Sequence, residues 1–246
     1  MLKEYRADLH IHTILSPCTE LTEMLPRAIV TRAHQIGLDV IAICDHNSSE
    51  NVSPTQKVSL TGGLVVLAGI EITSKEEVHT LGLFNGAEEV RKVQEVVYST
   101  LPGENDEESF GYQVVVNERD EAVYFNKRLL IGATTLSLEE VVELIHSFNG
   151  LAIASHVDRE AYSIIGQLGF IPPGMALDAL ELSPKIRVEE ARKNFPQCRD
   201  YPLITSSDAH SLDDIGKSST TFVMERVSAA EIKLALLGTQ GRRVLL

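Results

Sequence analysis

This sequence has little of what marks a membrane protein or a disulfide-rich secreted protein. It contains no apolar run of about eighteen residues, the length that a membrane-spanning helix requires. Its three cysteines, Cys18, Cys44 and Cys198, are too few and too scattered for a disulfide framework. No apolar signal-peptide core follows the first methionine. We therefore expect a cytoplasmic protein without a membrane partner.

Basic and aromatic residues are also scarce. The chain has 22 lysines and arginines against 35 acidic residues, which gives a net charge of −13. Aromatic residues make up 5% of the chain, and tryptophan is absent. Because general nucleic-acid binding depends on basic patches and stacking aromatics, these numbers disfavour it. A small phosphorylated substrate stays compatible, since bound divalent cations would make a site locally positive.

The 246 residues alternate between apolar runs and amphipathic stretches, which predicts an α/β fold with a largely parallel sheet. Capping-box patterns at Ser137 and Ser228 predict two of the helix starts. The predicted strands are 7–12, 40–45, 64–72, 80–84, 151–155, 177–182, 203–206, 221–224 and 243–246. No break in composition divides the chain, so we expect one domain over 1–246. The least regular stretch, at about 86–135, is predicted to be an elaboration on its rim.

Histidine and carboxylate residues gather in five short segments near the ends of predicted strands. These segments hold six of the eight histidines: Asp8-Leu-His10-Ile-His12, Asp45-His46, Glu71 with His79, His156, and Asp208-Ala-His210. Alternate residues of a strand point the same way, so each His-x-His or Asp-x-His pair presents two ligand atoms together. Imidazole and carboxylate suit zinc, manganese and iron. Since parallel α/β barrels keep their sites at the carboxyl ends of the strands, the segments predict a site for several metal ions.

The order of these segments resembles that of the PHP (polymerase and histidinol phosphatase) family of metal-dependent phosphoesterases. The start Asp8-Leu-His-Ile-His-Thr13 and the segment Cys44-Asp-His-Asn47 are especially typical of it. The resemblance runs from about residue 8 to residue 210. It implies a distorted (β/α)7 TIM-like barrel that carries two or three divalent metal ions.

The same resemblance implies a set of ligands for each metal ion. The first metal would take His10, His12, Glu71 and Asp208. The second would share Glu71 and add His79 and His156, and the third would take His46 and His210. Asp45 is either an additional ligand or an orienter of a neighbouring imidazole. Zinc, manganese and iron are the expected metals, and magnesium is possible.

The sequence departs from the family pattern after the second histidine. Many relatives have an acidic residue or a histidine there as a further ligand of the third metal, whereas this chain reads Leu15-Ser-Pro-Cys-Thr-Glu20. Glu20 is the preferred substitute, and Cys18 is its rival, because a thiolate ligand would favour zinc. A third alternative is that neither residue binds metal and that Cys18 is a bystander.

The expected reaction is hydrolysis of a phosphate ester by water that is activated at a di- or trinuclear metal centre. Glu71 as the bridging ligand and Asp208 would take part directly. Arg159 is a candidate clamp for the phosphate, because guanidinium grips phosphate oxygens in pairs. An exposed ion pair of Arg159 with Asp158 or Glu160 is the alternative.

The motifs identify the family better than the substrate. A small phosphorylated metabolite or nucleotide is our first expectation, and 3′-5′ exonuclease-type phosphodiesterase action is the alternative within the same chemistry. A non-catalytic metal-binding scaffold and hydrolysis of a C–N bond are further alternatives. Two histidines, His34 and His146, belong by spacing to polar helix faces and are expected to be solvated. The sequence does not indicate an oligomeric state.

Overall fold

Strands and helices alternate along most of the chain in the computed structural model, which describes residues 1–19, 22–60 and 62–246. The strands are β1 (Lys3–Ile11), β2 (Val40–Ile43), β3 (Val65–Thr73), β4 (His79–Phe84), β5 (Val114–Val116), β6 (Ala122–Phe125), β7 (Leu151–Ala154), β8 (Ala179–Leu182), β9 (Leu203–Thr205), β10 (Thr220–Met224) and β11 (Arg243–Leu245). The helices are α1 (Pro26–Gln35), α2 (Val52–Ser59), α3 (Ala87–Thr100), α4 (Glu107–Phe110), α5 (Leu138–Ser147), α6 (Ile164–Leu168), α7 (Val188–Asn194) and α8 (Ala229–Leu236), with a 3-10 helix at Pro196–Asp200. None of the described helices has the length and apolar character needed to cross a membrane.

Within the described residues, nine strands form one sheet in the order β11-β10-β1-β2-β3-β4-β7-β8-β9. Strands β1, β2 and β3 are mutually parallel, and so are β7, β8 and β9. The sheet curls until the segment after β9 meets β1. There the Ala209 N–H donates to the His10 carbonyl at 3.2 Å, and the Ala209 carbonyl accepts from the His12 N–H at 3.0 Å. The result is a nearly closed barrel, which confirms the predicted distorted (β/α)7 TIM-like fold.

One barrel strand, β4, runs against both of its neighbours, so the sheet is less parallel than predicted. It pairs with β3 in a hairpin whose register sets Thr73 opposite His79 and Glu71 opposite Leu81. Hydrophobic patterning predicts the strand but not its direction. The reversal brings the start of β4, rather than its end, to the carboxyl edge of β3. His79 therefore lies at the same edge of the barrel as Glu71.

Two apolar layers hold the barrel together. The outer layer lies between the strands and the helices that surround them, with Ile29 of α1, Val93 of α3 and Ile145 of α5 fully buried. The inner layer fills the barrel itself with side chains from alternate strand positions, including Leu9 and Leu81. Helix α8 packs against this inner layer and begins beside Asn85 at the end of β4, where the Asn85 side chain accepts from the Ala229 N–H at 2.7 Å. The edge opposite α8 is thus left for the site.

The stretch 86–135 is more regular than predicted. Its first part is helix α3, whose buried valines pack with the outer layer of the barrel. The remainder forms α4 and the β5–β6 hairpin. The Val114 N–H donates to the Ile14 carbonyl at 3.1 Å, so the hairpin lies on the rim next to the end of β1. That 1–246 is one domain stays a prediction.

Candidate metal centre

The histidine and carboxylate segments converge at the carboxyl edge of the barrel. Most of them follow the ends of parallel strands, while His79 opens the reversed strand β4. Apart from His210, which is half-buried, these side chains are buried: His10, His12, Asp45, His46, Glu71, His79, His156 and Asp208. Their meeting at one edge follows from the barrel topology, because strand ends far apart in sequence become neighbours there.

Glu71 lies at the middle of this cluster and is 1% exposed. Imidazole nitrogens approach its two carboxylate oxygens from several directions. They belong, at 2.9 to 3.6 Å, to His10, His12, His46, His79 and His156. Burial alone would raise the pKa of Glu71, but the imidazoles of His79 and His10 outweigh it and hold the pKa well below its usual range. Glu71 therefore stays a carboxylate, the form that binds cations.

A second carboxylate, Asp208, faces the same imidazoles from the opposite side of the barrel. Its Oδ1 lies 3.2 Å from His10 Nε2 and 3.1 Å from His12 Nε2. Its backbone has a φ of 50°, a left-handed conformation that is uncommon outside glycine. Burial raises the pKa of Asp208, yet His10 and His12 lower it well below its ordinary value.

The ligand atoms form three groups, each with its members within 4.8 Å of one another. The groups are His10-His12-Asp208, His46-Glu71-His79 and His12-His46-His210. Both Glu71 oxygens and the Nδ1 atoms of His46, His79 and His156 are buried without a hydrogen bond of acceptable geometry among the described residues. Such atoms cost about 1 to 3 kcal/mol each when unsatisfied. A divalent cation satisfies several of them at once, so these residues fit the implied metal ions.

Glu181 is a buried partner of the cluster that sequence reasoning missed. Its Oε2 lies 2.9 Å from His10 Nδ1 and accepts from the His156 N–H at 3.1 Å, and its side chain is 1% exposed. A signal was available, because Glu181 is the charged residue inside the apolar run that predicts β8. Carboxylates that hold the far nitrogen of a metal-binding imidazole fix its tautomer and orientation.

The Asp45 carboxylate is turned towards hydroxyl and amide donors. It accepts from the Thr13 N–H and Thr13 Oγ1, both at 2.7 Å, and from Ser16 Oγ at 2.8 Å. Ser16 Oγ in turn lies 3.0 Å from His12 Nδ1 and accepts from the His46 N–H at 3.2 Å. Of the two roles that the sequence left open for Asp45, these contacts favour that of an orienter.

Arg159 reaches the cluster from the loop after β7. Its Nη1 lies 2.5 Å from Asp208 Oδ2, and a third of its side chain is exposed. It does not pair with Asp158, whose carboxylate instead accepts from the Ser183 N–H and hydroxyl. The guanidinium is thus fixed beside a proposed ligand with a face towards solvent, where a phosphate could reach it.

Two residues were candidates for the further ligand of the third metal. Glu20 lies outside the described residues. Cys18 lines the cavity beside His46 and His210. Desolvation raises the pKa of its thiol, but hydrogen bonds with His210 and His46 lower it to about 6.

Neither of the two remaining histidines belongs to the cluster. His34 is exposed on α1, as expected. His146 is half-buried, and its Nε2 lies 2.8 Å from Asp178 Oδ2. The spacing along α5 could not predict that pair, because Asp178 comes from the segment before β8. His146 is therefore less solvated than expected.

A cavity of about 710 Å³ opens above the cluster. Its floor carries six of the proposed ligands: His46, Glu71, His79, His156, Asp208 and His210. Arg159 and Lys185 supply positive charge at its side, and Tyr162, Ile186 and Phe195 form an apolar wall. The Tyr162 ring stacks on His79, with centroids 4.6 Å apart and planes at 18°. The cavity can therefore take a molecule that has both an anionic group and a flat apolar group.

Among curated proteins, the chain is 25% identical over 263 residues to the uncharacterized protein YqxK of Bacillus subtilis, covering 99% of this chain. A stretch of 86 residues, 34% of this chain, is 30% identical to the 5′-3′ exoribonuclease of Haemophilus influenzae and covers 29% of that enzyme. No protein-family model matches the chain. The chain spans 65% of the length of the Bacillus protein.

Similar solved structures share the fold. The lesion-specific endonuclease Q of Pyrococcus furiosus matches 99% of this chain and 58% of its own chain at 21% identity, with a TM-score of 0.75. Endonuclease Q bound to a 27-mer duplex with an abasic lesion at its active site matches 98% of this chain and 58% of its own at 21% identity, with a TM-score of 0.69. A two-domain protein of Bacteroides vulgatus that contains a predicted PHP-like metal-dependent phosphoesterase matches all of this chain and 65% of its own at 14% identity, with a TM-score of 0.58. The resemblance to PHP proteins is thereby confirmed in the fold.

Proposed function

We propose that this chain, whose barrel is of the PHP type, hydrolyses phosphate ester bonds in nucleic acid at a centre of two or three divalent metal ions. The observation that carries the proposal is Glu71, a buried carboxylate surrounded by five imidazoles. A cluster of this composition, built from six separate segments of the chain, has no structural need that fewer polar residues would not meet. It has the ligand types and spacing of a multinuclear site.

The chain's own residues divide into ligands and orienters. We assign His10, His12, Glu71 and Asp208 to a first metal, and Glu71, His79 and His156 to a second. His46 and His210 remain for a third. When bound, such cations would polarise the phosphoryl group and activate water for attack at phosphorus. Glu181 and Asp45 would keep the ligating imidazoles in position from behind.

Arg159 and Lys185 are proposed to bind the substrate phosphate. The ion pair of Arg159 with Asp208 holds the guanidinium at the cavity wall before substrate arrives, which reduces the entropy lost on binding. Guanidinium offers two parallel donors to a pair of phosphate oxygens. Lys185 adds a mobile positive charge across the same cavity.

Two observations support nucleic acid as the substrate class. Endonuclease Q, whose fold is similar over nearly the whole chain, is described with a duplex at its active site. In this chain, the apolar wall with Tyr162 and Phe195 can stack against a base while the phosphate faces the cluster. The net charge of −13 disfavours general binding to a nucleic-acid backbone, so recognition would be confined to the cavity.

A small phosphorylated metabolite or nucleotide is the second candidate substrate. It is favoured by the same net charge and by the limited positive charge at the cavity. Both candidates require the same metal centre. They differ in the bond that is cleaved, because a nucleic acid presents a phosphodiester and most small metabolites present a phosphomonoester.

The test is hydrolysis by metal-stripped protein that is reconstituted separately with zinc, manganese, iron(II) or magnesium. Substrates should include single-stranded and duplex oligonucleotides, with and without an abasic or deaminated position, and a panel of phosphomonoesters. We expect metal-dependent cleavage of an oligonucleotide, absent in Glu71→Gln and kept in His34→Gln, a control at an exposed histidine outside the cluster. Release of phosphate from monoesters alone would support the second candidate. No hydrolysis of either class despite bound metal would overturn the proposal.

A further inference from the structure

We infer that the Cys18 thiolate is a direct ligand of the third metal ion, together with His46 and His210. The inference rests on the metal centre of the proposed function but not on its substrate. It resolves, in favour of sulfur, the position at which the sequence departs from the family pattern. The chain would then hold its third metal through nitrogen and sulfur where a carboxylate or an imidazole was expected.

The imidazoles beside Cys18 have nitrogens ready for a cation. His210 Nδ1 lies 2.8 Å from the Asp208 carbonyl, to which it can only donate, so its Nε2 keeps a free lone pair. The His46 side chain is 8% exposed, and its Nδ1 has no hydrogen bond of acceptable geometry among the described residues. Both residues belong with His12 to a group whose ligand atoms lie within 4.8 Å of one another. This group is an independent indication of a metal position.

A tightly hydrogen-bonded turn carries Cys18 to that group. The Thr19 N–H donates to the Ser16 carbonyl at 3.0 Å, and Thr19 Oγ1 donates to the Thr13 carbonyl at 3.1 Å. Ser16 Oγ fastens the turn to Asp45 and to the N–H of His46. The same contacts that fix His46 therefore fix the turn, and Cys18 lines the cavity next to His46 and His210.

The chemistry of the thiol agrees with this placement. Hydrogen bonds with the two imidazoles lower the pKa of Cys18 to about 6 against the effect of desolvation, which favours the thiolate that metals bind. The other cysteines, Cys44 and Cys198, are buried in the core and do not line the cavity. Thiolate with imidazole is a zinc-preferring set, whereas a carboxylate would serve manganese or magnesium equally well. The third position should thus be the most selective for zinc.

Cobalt(II) substitution tests the ligand directly, because a thiolate bound to cobalt(II) gives a charge-transfer absorption that nitrogen and oxygen ligands do not give. The variants to compare are Cys18→Ser, Glu20→Gln and Cys198→Ser, the last as the control cysteine. We expect the band in the native protein, in Glu20→Gln and in Cys198→Ser, and its loss in Cys18→Ser. Metal analysis should show one metal fewer per chain in Cys18→Ser. A band that survives in Cys18→Ser, or a metal lost from Glu20→Gln but not from Cys18→Ser, would overturn the inference.

Alkylation with iodoacetamide gives a second readout that needs no coloured metal. Cys18 faces the cavity, so we expect rapid modification in metal-stripped protein and protection of at least tenfold in rate after zinc is restored. Equal rates with and without zinc would contradict the assignment. Neither experiment uses a substrate, so a protein that has the cobalt band and protects Cys18 but hydrolyses nothing would refute the proposed function and leave the ligand assignment standing.

Discussion

Glu181 Oε2 and His10 Nδ1 form a buried contact of 2.9 Å behind the metal centre. An ionised carboxylate can only accept, so Nδ1 carries the proton and Nε2 presents its lone pair towards Glu71 and Asp208. The same Glu181 oxygen accepts from the backbone N–H of His156. One buried carboxylate thus positions residues that we assign to two different metals.

We predict that Glu181→Gln weakens metal binding by about 10- to 100-fold, the range for residues that orient a ligand. The amide keeps the size of the side chain but removes the negative charge that favours the required tautomer of His10. Titration with a competing chelator measures the change. Glu189→Gln, at an exposed position on α7, serves as the control. Equal metal affinities in all three proteins would contradict this function of Glu181.

Glu71→Gln should be among the most damaging single changes at the centre. It keeps the shape of the side chain but removes the charge that faces five imidazoles. We expect at least one metal to be lost per chain and hydrolysis to fall by more than about 100-fold, beyond the range for orienting residues. Metal analysis and single-turnover kinetics together check this. Full metal occupancy with near-native rates would rule out Glu71 as the bridge.

Removal of metal should lower stability as well as activity. A ligand that binds only the folded state stabilises it by about 2.7 kcal/mol when its free concentration is 100 times its dissociation constant. Without cations, the buried atoms around Glu71 lose partners that no described residue supplies. Denaturant unfolding with and without chelator should therefore show a shift that is smaller in Glu71→Gln. An unchanged midpoint in a verified metal-free sample would contradict this prediction.

Gly69, two residues before Glu71 on β3, should not tolerate a side chain. A methyl group added there would lie 2.4 Å from Cys44 Sγ and 2.6 Å from the Ile43 carbonyl oxygen. The backbone of β2 cannot move away without breaking its pairing with β3. We predict that Gly69→Ala destabilises the fold by about 1 to 3 kcal/mol, the usual cost of overpacking. Gly86→Ala, where a flexible Glu89 side chain is the only close neighbour, should cost less in the same unfolding assay.

Much of the barrel could be predicted because its strands are short apolar runs between turn signals, and every predicted strand is present. Direction and pairing were beyond this reasoning, since the reversal of β4 depends on a hairpin rather than on its own residues. Helix α3 was missed between an irregular segment and a Gly86 start. Strand β6 has no apolar signal to detect, because all its residues are exposed.

The ligand set was accessible from sequence because each ligand is a histidine or carboxylate at a strand end. Glu181 was not, because a single acidic residue in an apolar strand shows no spacing that links it to His10, 171 positions away. The pairing of Arg159 with Asp208 was equally hidden, since Arg159 has acidic neighbours in sequence that it does not contact. Partners contributed by distant segments require the fold.

A pH-dependent contribution to stability should come from Asp178, at the end of the barrel away from the metal centre. Its carboxylate accepts from His146 Nε2 at 2.8 Å, Lys233 Nζ at 2.9 Å and the Ala152 N–H at 2.9 Å. Burial raises the pKa of Asp178, but these contacts, above all those with His146 and Lys233, lower it below its ordinary value. Because the folded-state pKa lies below the unfolded value of about 3.9, the stabilisation is complete above that value and is lost as the pH falls through the folded pKa.

We therefore predict that Asp178→Asn lowers the free energy of unfolding by about 1 to 2 kcal/mol near neutral pH, a charged hydrogen bond discounted for the solvent that reaches Lys233. The difference from the native protein should shrink as the pH falls below about 4. Denaturant unfolding in excess chelator measures it without interference from pH-dependent metal binding. Asp213→Asn, at an exposed carboxylate, is the control and should show little difference at either pH. A deficit of Asp178→Asn that persists unchanged in acid would mean that packing, rather than the charge of Asp178, stabilises this end of the barrel.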